Sequence, residues 1–410
     1  MTAMPPAPTS LRLHIGLFGR RNVGKSSLLN AITRQQVSIV SAQAGTTTDP
    51  VEKPMELLPL GPVLFVDTAG VDDEGALGEL RMARTRAVLD RVDLGVIVTG
   101  EGAWGPFEAG LLAQLRSRQV PVLVVRNKAD LALSAPPELD VPQVAVSALE
   151  GTGLPALREA LLALAPADFF DHRRLVADLV PPGELAILVV PIDKEAPKGR
   201  LILPQVMAIR DLLDGEAMAM VVQERELARA LDRLKQPPAL VVTDSQAFLK
   251  VAADVPRGVP MTSFSILMSR FQGNLAEQVR GTLGIERLRG GDQVLVAEAC
   301  SHHPVGEDIG RVKIPRWLTQ YVGAQLAFSH VQGRDFPADP AALAPYRLVV
   351  HCGNCVGNRR EMLARIHRCR EAGVPITNYG LTIAYSLGIF ERALGPFPAA
   401  LEAFRQGVDA

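Results

Sequence analysis

The chain has 410 residues, of which 48% are hydrophobic and 21% charged, with 35 glycines and 31 prolines. This is the composition of a folded globular protein, and single domains usually stop near roughly 200 to 250 residues, so two or three domains are expected. The 43 basic and 44 acidic side chains give a formal net charge of -1, which argues against a nucleic-acid or anionic-membrane binder. No apolar run reaches the ~18 to 20 residues that span a bilayer, and the first residues lack a secretion signal, so a cytoplasmic protein without a membrane partner is expected.

The first unit, residues 1–168, alternates apolar strand-like runs with helical patterns. This alternation predicts an α/β fold with a doubly wound parallel sheet. The predicted strands are 11–18, 63–67, 94–98, 122–127 and 143–146, and a predicted helix over 154–164 closes the unit.

Two further α/β units are predicted, at 169–262 and 263–410. The middle unit contains no catalytic pattern, so it is interpreted as a structural or self-association module. In the last unit the predicted strands are 293–297, 325–330, 348–351 and 374–378, and the predicted helices are 317–322, 359–371 and 381–394. Two of these strands, 293–297 and 348–351, lead directly to cysteine residues.

A phosphate-binding motif follows the first predicted strand. Residues 19–26 read Gly-Arg-Arg-Asn-Val-Gly-Lys-Ser, which matches G-x-x-x-x-G-K-S, and a helix is predicted from 27 to 32. In such a loop the backbone N–H groups cradle phosphate oxygens, Lys25 reaches the terminal phosphates and the Ser26 hydroxyl ligates Mg²⁺. The predicted phosphate-binding residues are Gly19, Asn22, Val23, Gly24, Lys25, Ser26 and Ser27.

Two downstream segments complete the predicted phosphate and metal site. Residues 67–70 read Asp-Thr-Ala-Gly, in which Asp67 would supply a carboxylate near the metal and Gly70 a backbone N–H for the γ-phosphate. The polar stretch 45–49 has the character of a switch loop, with Thr47 predicted to close over Mg²⁺.

A base-recognition motif in the sequence predicts that the bound nucleotide carries guanine. Asn127, Lys128 and Asp130 form N-K-x-D, and the Asp130 carboxylate can accept both N–H donors of a guanine edge, whereas adenine would leave it unpaired. The backbone of Ser147 and Ala148 is predicted to contact the guanine carbonyl. The predicted cofactors are therefore GTP and Mg²⁺.

These residues together resemble the TrmE/Era-like GTPases, the branch active in tRNA modification and ribosome assembly. Ras-like enzymes carry a water-orienting Gln after the D-x-x-G glycine, but this chain has Val71, so slow hydrolysis is expected. Asn22 stands where potassium-activated members carry an Asn, and the resemblance therefore implies a K⁺ site at the phosphates. The predicted catalytic residues are Lys25, Ser26, Thr47, Asp67 and Gly70.

The cysteines form a second pattern, because all four lie at position 300 or later. Residues 300–302 read Cys-Ser-His, and residues 351–355 read His-Cys-Gly-Asn-Cys. Both segments follow predicted strands of one parallel sheet, so they are expected to meet at its carboxyl edge. Three thiolates there suit either a 4Fe-4S cluster with one open position or a Cys₃His zinc centre, and the residue types leave both open.

Two further interpretations concern individual cysteines. A thiol oxidoreductase that used only Cys352 and Cys355 would leave Cys300 and the GTPase motifs unexplained. Cys369 lies at helical spacing from Met362 and Ile366, so it is predicted to be a packing residue.

A GTPase domain, an α/β middle domain and C-x-H…H-C-x-x-C together resemble the FeFe-hydrogenase maturation GTPases, the HydF family. Further matching segments are 199–205 (Gly-Arg-Leu-Ile-Leu-Pro-Gln), 358–359 (Asn-Arg) and 375–380 (Pro-Ile-Thr-Asn-Tyr-Gly). The resemblance implies a dimerisation domain over 169–262 and a 4Fe-4S cluster on Cys300, Cys352 and Cys355 in 263–410. The fourth ligand is variable in the family, and the candidates are His302, His303 and His351.

The same resemblance implies a function and partners. The protein would be a scaffold and carrier for the diiron precursor of the hydrogenase active site, working with two radical-SAM maturases and delivering its cargo to apo FeFe-hydrogenase as a homodimer. The alternative is an RNA- or ribosome-associated GTPase with a zinc-binding C-terminal module. It predicts a basic stripe with aromatic residues in 263–410, but the arginines there are interspersed with acids.

Overall fold

The computed structural model of the protein describes residues 8–33, 50–58, 60–68, 85–100, 104–131, 138–166, 173–192, 201–300 and 308–408. The chain divides into two compact units, Met1–His172 and Arg173–Ala410. The first limit lies close to the predicted boundary at 168, whereas the predicted boundary near 263 falls inside the second unit, so the domain limits stay predictions. Within the described ranges, no helix has the length and apolar character that crossing a membrane requires.

The first unit is built on a six-stranded sheet with the strand order β2-β3-β1-β4-β5-β6. All neighbours pair in parallel except β2 and β3, which are antiparallel. The strands are β1 (Leu13–Phe18), β2 (Val51–Leu57), β3 (Gly61–Asp67), β4 (Leu94–Thr99), β5 (Val122–Arg126) and β6 (Gln143–Ala145), and the helices are α1 (Lys25–Thr33), α2 (Pro106–Ser117) and α3 (Leu154–Leu164). Apolar side chains from both faces of β1 and β4 are buried, which explains their continuous apolar runs.

One strand of this sheet was not predicted. In β2 exposed Glu52, Pro54 and Glu56 alternate with partly or fully buried residues, so the strand contains no apolar run. Charged residues and proline are typical of edge strands, where they hinder pairing with other chains. β2 is therefore an edge strand, and its sequence lacks the apolar run from which the other strands were predicted.

The second unit contains two four-stranded parallel sheets, with the orders β10-β9-β7-β8 and β12-β11-β13-β14. The strands of the first of these are β7 (Leu185–Val189), β8 (Met218–Val222), β9 (Leu240–Thr243) and β10 (Met261–Ser263), and those of the second are β11 (Gln293–Glu298), β12 (Ala327–Gln332), β13 (Leu348–His351) and β14 (Ile376–Asn378). The helices are α4 (Leu203–Asp214), α5 (Leu227–Asp232), α6 (Phe248–Asp254), α7 (Phe264–Gln272), α8 (Leu275–Thr282), α9 (Ile314–Val322), α10 (Arg359–Glu371), α11 (Tyr379–Ser386), α12 (Phe390–Leu394) and α13 (Pro398–Val408).

The single helix predicted over 381–394 is wrong. Two helices, α11 and α12, occupy this region, and the chain turns between them at Gly388, whose φ of 71° lies in the left-handed region. The Ile389 N–H donates to the Ala384 carbonyl at 3.0 Å, which closes α11. Glycine adopts a left-handed conformation without steric cost, so the break interrupts the backbone while the apolar pattern continues.

Helix α7 contacts residues that follow β13 and β14 in the chain. The Cα of Gly353 lies against Met268 of α7, since a Cβ built on Gly353 would be 3.2 Å from the Met268 Cβ. At the start of α7, the Gly380 N–H donates to the Ser265 hydroxyl at 3.1 Å. At its end, the Arg359 guanidinium donates to the Phe271 carbonyl at 3.3 Å. Along its length, α7 therefore forms part of the support of the H-C-x-x-C segment.

Candidate functional site

The predicted phosphate loop joins the end of β1 to α1. Gly19 and Gly24 have φ values of 146° and 86°, and Asn22 has a φ of 60°. A Cβ at Gly24 would lie 2.3 Å from the Nδ2 of Asn127, and one at Gly19 would lie 2.3 Å from the Val98 carbonyl oxygen. Both positions therefore require glycine for backbone conformation and for space.

The side chains of Lys25 and Ser26 form hydrogen bonds within and beside the phosphate loop. The Lys25 Nζ donates to the carbonyls of Gly19 and Arg20, both at 2.8 Å, and Lys25 is only 7% exposed. The Ser26 hydroxyl donates to the Asp67 Oδ2 at 2.7 Å. Lys25 thus rests on the carbonyls of the loop, and Ser26 and Asp67 are already adjacent.

Asp67 has the features of a metal-facing carboxylate. Burial raises the pKa of Asp67, and the Ser26 hydrogen bond and the charge of Lys25 partly offset that rise. Its Oδ1 is buried and has no hydrogen-bond partner among the described residues. A buried, unpaired carboxylate oxygen beside a serine hydroxyl fits a Mg²⁺ ion, which prefers oxygen ligands. Ser26 and Asp67 are therefore the residues that would hold it.

Asn127 connects the base-recognition segment to the phosphate loop. It is 2% exposed, its Nδ2 donates to the Val23 carbonyl at 2.9 Å, and its Oδ1 accepts from the Ala148 N–H at 3.1 Å. One buried amide thus holds the phosphate loop and the loop at Ser147 and Ala148 in fixed register. The sequence predicted Asn127 as a nucleotide-binding residue but did not reveal this bridging role.

The rest of the base site lies around this amide. Lys128 has a φ of 60°, and Asp130 is exposed at the end of the same turn. Ser147 is fully buried, and its hydroxyl accepts from the Glu150 N–H at 3.1 Å. The segments predicted to recognise guanine are therefore gathered at the carboxyl ends of β5 and β6.

An ion pair connects the phosphate loop to α2. The sequence motifs did not predict it. The Arg20 Nε donates to the Glu108 Oε1 at 2.8 Å and its Nη2 to the Oε2 at 3.2 Å, in a two-pronged contact. The Glu108 side chain is 3% exposed and also accepts from the Gly105 N–H at 3.0 Å. Glu108 at the third position of a helix that begins with Pro106 is a capping signal that would have found this residue.

Three predicted site residues, Thr47, Gly70 and His302, and the candidate His303 lie outside the described residues. Their predicted roles as switch residues and as cluster ligands therefore stay predictions.

The cysteine segments meet as the strand pattern predicted. β11 and β13 are parallel neighbours with Ala297 opposite His351, so Cys300 and Cys352 follow them at the same edge of the sheet. The Cys352 N–H donates to the Ala297 carbonyl at 2.9 Å. A cavity of about 120 Å³ opens there, lined by Cys300, Cys352, Glu298, Asp308, Ile309, Gly310 and Tyr379. One water needs on the order of 10 to 15 Å³, so the cavity admits a larger group.

Burial disfavours the thiolate form of all three cysteines. Burial raises the pKa of Cys352 to about 12, against the lowering effect of backbone N–H groups, and it raises that of Cys355 to about 11. Burial, followed by the charge of Glu298, also raises the pKa of Cys300. Cys300 raises the pKa of both other thiols, so the three groups are electrostatic neighbours. A metal would have to displace their protons.

The donor chemistry fits a soft metal, since none of the three cysteines is in a disulfide and each is partly buried. The Cys352 Sγ already accepts N–H groups from Ala299 at 3.1 Å and from Asn354 at 3.5 Å, as cluster sulfurs do. Among the described residues, no group of three His, Cys, Asp or Glu side chains surrounds a single metal position. The residues for such a site are therefore present at one sheet edge, but their side chains do not converge on one point.

His351, a candidate fourth ligand, is held by contacts at both ring nitrogens. It is fully buried, its Nδ1 lies 2.8 Å from the Cys352 carbonyl oxygen, and its Nε2 lies 2.8 Å from the Arg365 Nη1. Both ring nitrogens are engaged, which argues against His351 as a metal ligand. Cys369 lies in the core with Met362 and Ile366, in the packing position predicted from helical spacing.

Family models match most of the second unit. The model of the hydrogen maturase F dimerization domain matches residues 175–273, and that of the hydrogen maturase F tetramerization domain matches residues 276–396. Together they span more than half of the chain.

The chain belongs to the hydrogen maturase F family.

A third model, described as a 50S ribosome-binding GTPase, matches residues 14–128. The matches confirm the predicted resemblance to HydF proteins and the α/β architecture of a P-loop GTPase domain, a dimerisation domain and a C-terminal domain. The tetramerization model was not anticipated from the sequence. Homo-oligomerisation of this HydF chain is therefore supported by both models of the second unit.

Curated relatives resemble only part of the chain. The tRNA modification GTPase MnmE of Parasynechococcus marenigrum (strain WH8102) is 40% identical over 152 residues, which cover 37% of this chain and 33% of the relative. MnmE of Bordetella petrii is 41% identical over 157 residues, which cover 37% and 34%. The chain thus spans about a third of the length of these relatives.

Solved structures show a similar partial likeness. A variant of Era from Aquifex aeolicus bound to GDP.AlF4- has 23% sequence identity and a TM-score of 0.34, and the match covers 51% of this chain and 91% of that chain. The G domain of the FeoB iron transporter of T. maritima has 22% identity and a TM-score of 0.30, and the match covers 37% and 98%.

Proposed function

We propose that this HydF-family protein is a GTP-hydrolysing scaffold and carrier that assembles and delivers the diiron precursor of the FeFe-hydrogenase active site. The observation that carries the proposal is that Cys300 and Cys352 follow the neighbouring parallel strands β11 and β13 at one edge of their sheet. This region matches the tetramerization domain of hydrogen maturase F. The neighbouring dimerization match supports a homodimer. Radical-SAM maturases and apo FeFe-hydrogenase are the proposed partners.

In this proposal Cys300, Cys352 and Cys355 hold a 4Fe-4S cluster. When bound, the cluster supplies an iron atom with an exchangeable position, through which a precursor can be attached. The N–H groups of Ala299 and Asn354 hold the Cys352 sulfur in place, and the cavity beside Cys300 leaves room for cargo. His302 and His303 are the proposed candidates for the remaining ligand.

The GTPase domain performs the switching step. Lys25 would leave the carbonyls of Gly19 and Arg20 to reach the terminal phosphates, and Ser26 and Asp67 would hold Mg²⁺. Thr47 and Gly70 would contact the metal and the γ-phosphate and report the nucleotide state to the rest of the protein. Because Val71 cannot orient water, hydrolysis is slow and gates the association of partners, without supplying chemistry to the cargo.

When bound at the phosphates, a potassium ion would supply positive charge there, in a chain that has Val71 where Ras-like enzymes carry a water-orienting glutamine. Asn22 holds a left-handed conformation in the phosphate loop, and its amide oxygen is the proposed K⁺ ligand. Replacing KCl by NaCl will lower GTP turnover roughly tenfold or more, since the charge of an arginine finger is worth about 10³ to 10⁵ in rate. Asn22→Ala will remove the difference between the two salts. Equal turnover of the wild-type protein in both salts would show that potassium has no role.

Activation of an apo FeFe-hydrogenase tests the function directly. The protein, incubated anaerobically with the two radical-SAM maturases, their substrates and GTP, will confer H₂ evolution on apo-hydrogenase after it is re-isolated. A mixture that lacks the maturases is the control and will stay inactive. If a hydrogenase matured in cells is active under the same assay conditions and the test mixture is not, the scaffold proposal fails.

The ribosome-associated alternative is not favoured. The model described as a 50S ribosome-binding GTPase ends at residue 128, whereas residues 175–396 match hydrogen maturase F domains. The net charge of -1 also gives RNA no general attraction. Stoichiometric zinc together with co-purified RNA would reverse this preference.

A further inference from the structure

A buried arginine contacts the H-C-x-x-C segment. It belongs to none of the sequence motifs and has no role in the proposed function. Arg365 of α10 is 2% exposed. Its Nη2 donates to the Gly333 carbonyl at 2.7 Å and to the Glu361 Oε1 at 2.6 Å, and its Cζ lies 5.1 Å from the centroid of the Phe336 ring. A buried guanidinium is costly unless its donors are paired, and here Nη2 is paired with one carbonyl and one carboxylate.

The fourth partner of Arg365 is the histidine of the motif. The Arg365 Nη1 lies 2.8 Å from the His351 Nε2. A guanidinium can only donate, so the Nε2 must accept and the proton of the neutral ring lies on Nδ1. That Nδ1–H donates to the Cys352 carbonyl at 2.8 Å. Arg365 therefore fixes the tautomer of His351, and His351 fixes the orientation of the Cys352 peptide.

The peptide held in this way belongs to the first cysteine of the pair. The sulfur of the same residue accepts N–H groups from Ala299 and Asn354. Asn354 itself has a φ of 54°, a conformation that a non-glycine residue keeps only when its surroundings enforce it. The carbonyl and the sulfur of Cys352 are thus both restrained, one through Arg365 and one through backbone N–H groups.

We propose that Arg365 is a positioning residue for the cysteine site: through His351 it holds the Cys352 backbone in the conformation that presents the thiol to the metal centre. The inference rests on the proposed function, in which Cys300, Cys352 and Cys355 carry an iron-sulfur cluster. Removal of a group that hydrogen-bonds to a metal ligand and orients it typically lowers metal affinity by roughly 10- to 100-fold.

A purely structural role makes a different prediction. Arg365 also pairs with Glu361 on its own helix and packs on Phe336, so its loss will lower the stability of the protein in either case. A structural role alone would leave the spectroscopic properties of any remaining cluster unchanged. A positioning role changes them, because the geometry at one cysteine sulfur is altered.

The test compares anaerobically reconstituted wild-type protein with Arg365→Met, Arg365→Lys and the control Arg370→Met. Arg370 lies on the same helix but is exposed. We expect Arg365→Met to lose iron at a chelator concentration roughly tenfold lower than the wild-type protein, and to show a changed EPR line shape in the reduced state. Arg365→Lys, which keeps one donor for His351, will recover most of the wild-type signal, and Arg370→Met will match the wild-type protein.

A second variant covers the case in which Arg365→Met does not fold. His351→Phe keeps an aromatic ring but removes both hydrogen bonds, so it will reproduce the loss of iron and the altered EPR signal. If the wild-type protein holds a cluster and these variants hold it equally tightly with unchanged spectra, Arg365 is not a positioning residue, although the proposed function stands. If the wild-type protein itself takes up no iron-sulfur cluster, the proposed function fails first.

Discussion

Replacement of Asn127 by alanine will raise the Kd for GTP about a hundredfold. The amide donates to the buried Val23 carbonyl and accepts from the part-buried Ala148 N–H, and its removal leaves both groups unpaired. Each such group costs about 1 to 3 kcal/mol, and a total of about 3 kcal/mol corresponds to roughly a hundredfold in affinity. The loss falls on binding because GTP must then order two loops that Asn127 otherwise holds together. Titration with a fluorescent GTP analogue measures the change.

Leu149→Ala is the matched control for this prediction. Leu149 lies in the loop after Ala148 but is 88% exposed, so its truncation should leave the affinity for GTP unchanged. Thermal unfolding of nucleotide-free Asn127→Ala will also show a lower midpoint, since the bridge exists without nucleotide. A Kd within about threefold of the wild-type value would mean that the bridge does not organise the site.

Cys352→Ala and Cys300→Ala will abolish the iron-sulfur cluster. The wild-type protein, reconstituted anaerobically with iron and sulfide, is expected to be brown, to hold about four iron atoms per chain and to give an S = 1/2 EPR signal when reduced. Each variant retains only two of the three proposed cysteine ligands, and its reduced-state signal will collapse. Iron and sulfide analysis together with EPR spectroscopy measures the loss.

The fourth cysteine provides the control for the same experiment. Cys369 lies fully buried in the core of the third sheet, with Met362 and Ile366, so Cys369→Ala leaves the proposed ligands intact. This variant will lose some stability, about 1 to 2 kcal/mol for a small core truncation, but will keep the full EPR signal. A colourless wild-type protein that holds one zinc per chain would instead indicate a structural zinc centre.

Strands buried on both faces were predictable because burial leaves a continuous apolar run. β1, β4 and β5 are such strands, and the phosphate motif between β1 and α1 could be read from its spacing. Strand β2 was not, because it is an edge strand whose exposed residues are charged or proline. The break at Gly388 was also hidden, since one left-handed residue interrupts a helix without disturbing the apolar pattern.

The supporting contacts of both sites were beyond the reach of sequence motifs. Arg20 and Glu108 are 88 positions apart, and their pairing depends on how α2 packs against the sheet. Arg365 and His351 are 14 positions apart, and the fold of the second unit brings them into contact. Spacing within a motif identifies the groups that contact a ligand, whereas the groups that hold them in place are brought near by the fold.

Helix α7 has a consequence for how this protein can evolve. It lies within the match to the dimerization domain, yet it supports Gly353, Gly380 and Arg359 of the following domain. A gene fusion that joined the C-terminal domain to a foreign partner at residue 274 would sever this support and loosen the cysteine loop. The dimerization and tetramerization domains are therefore expected to be inherited together. Recombination upstream of residue 173 would leave α7 and its contacts intact.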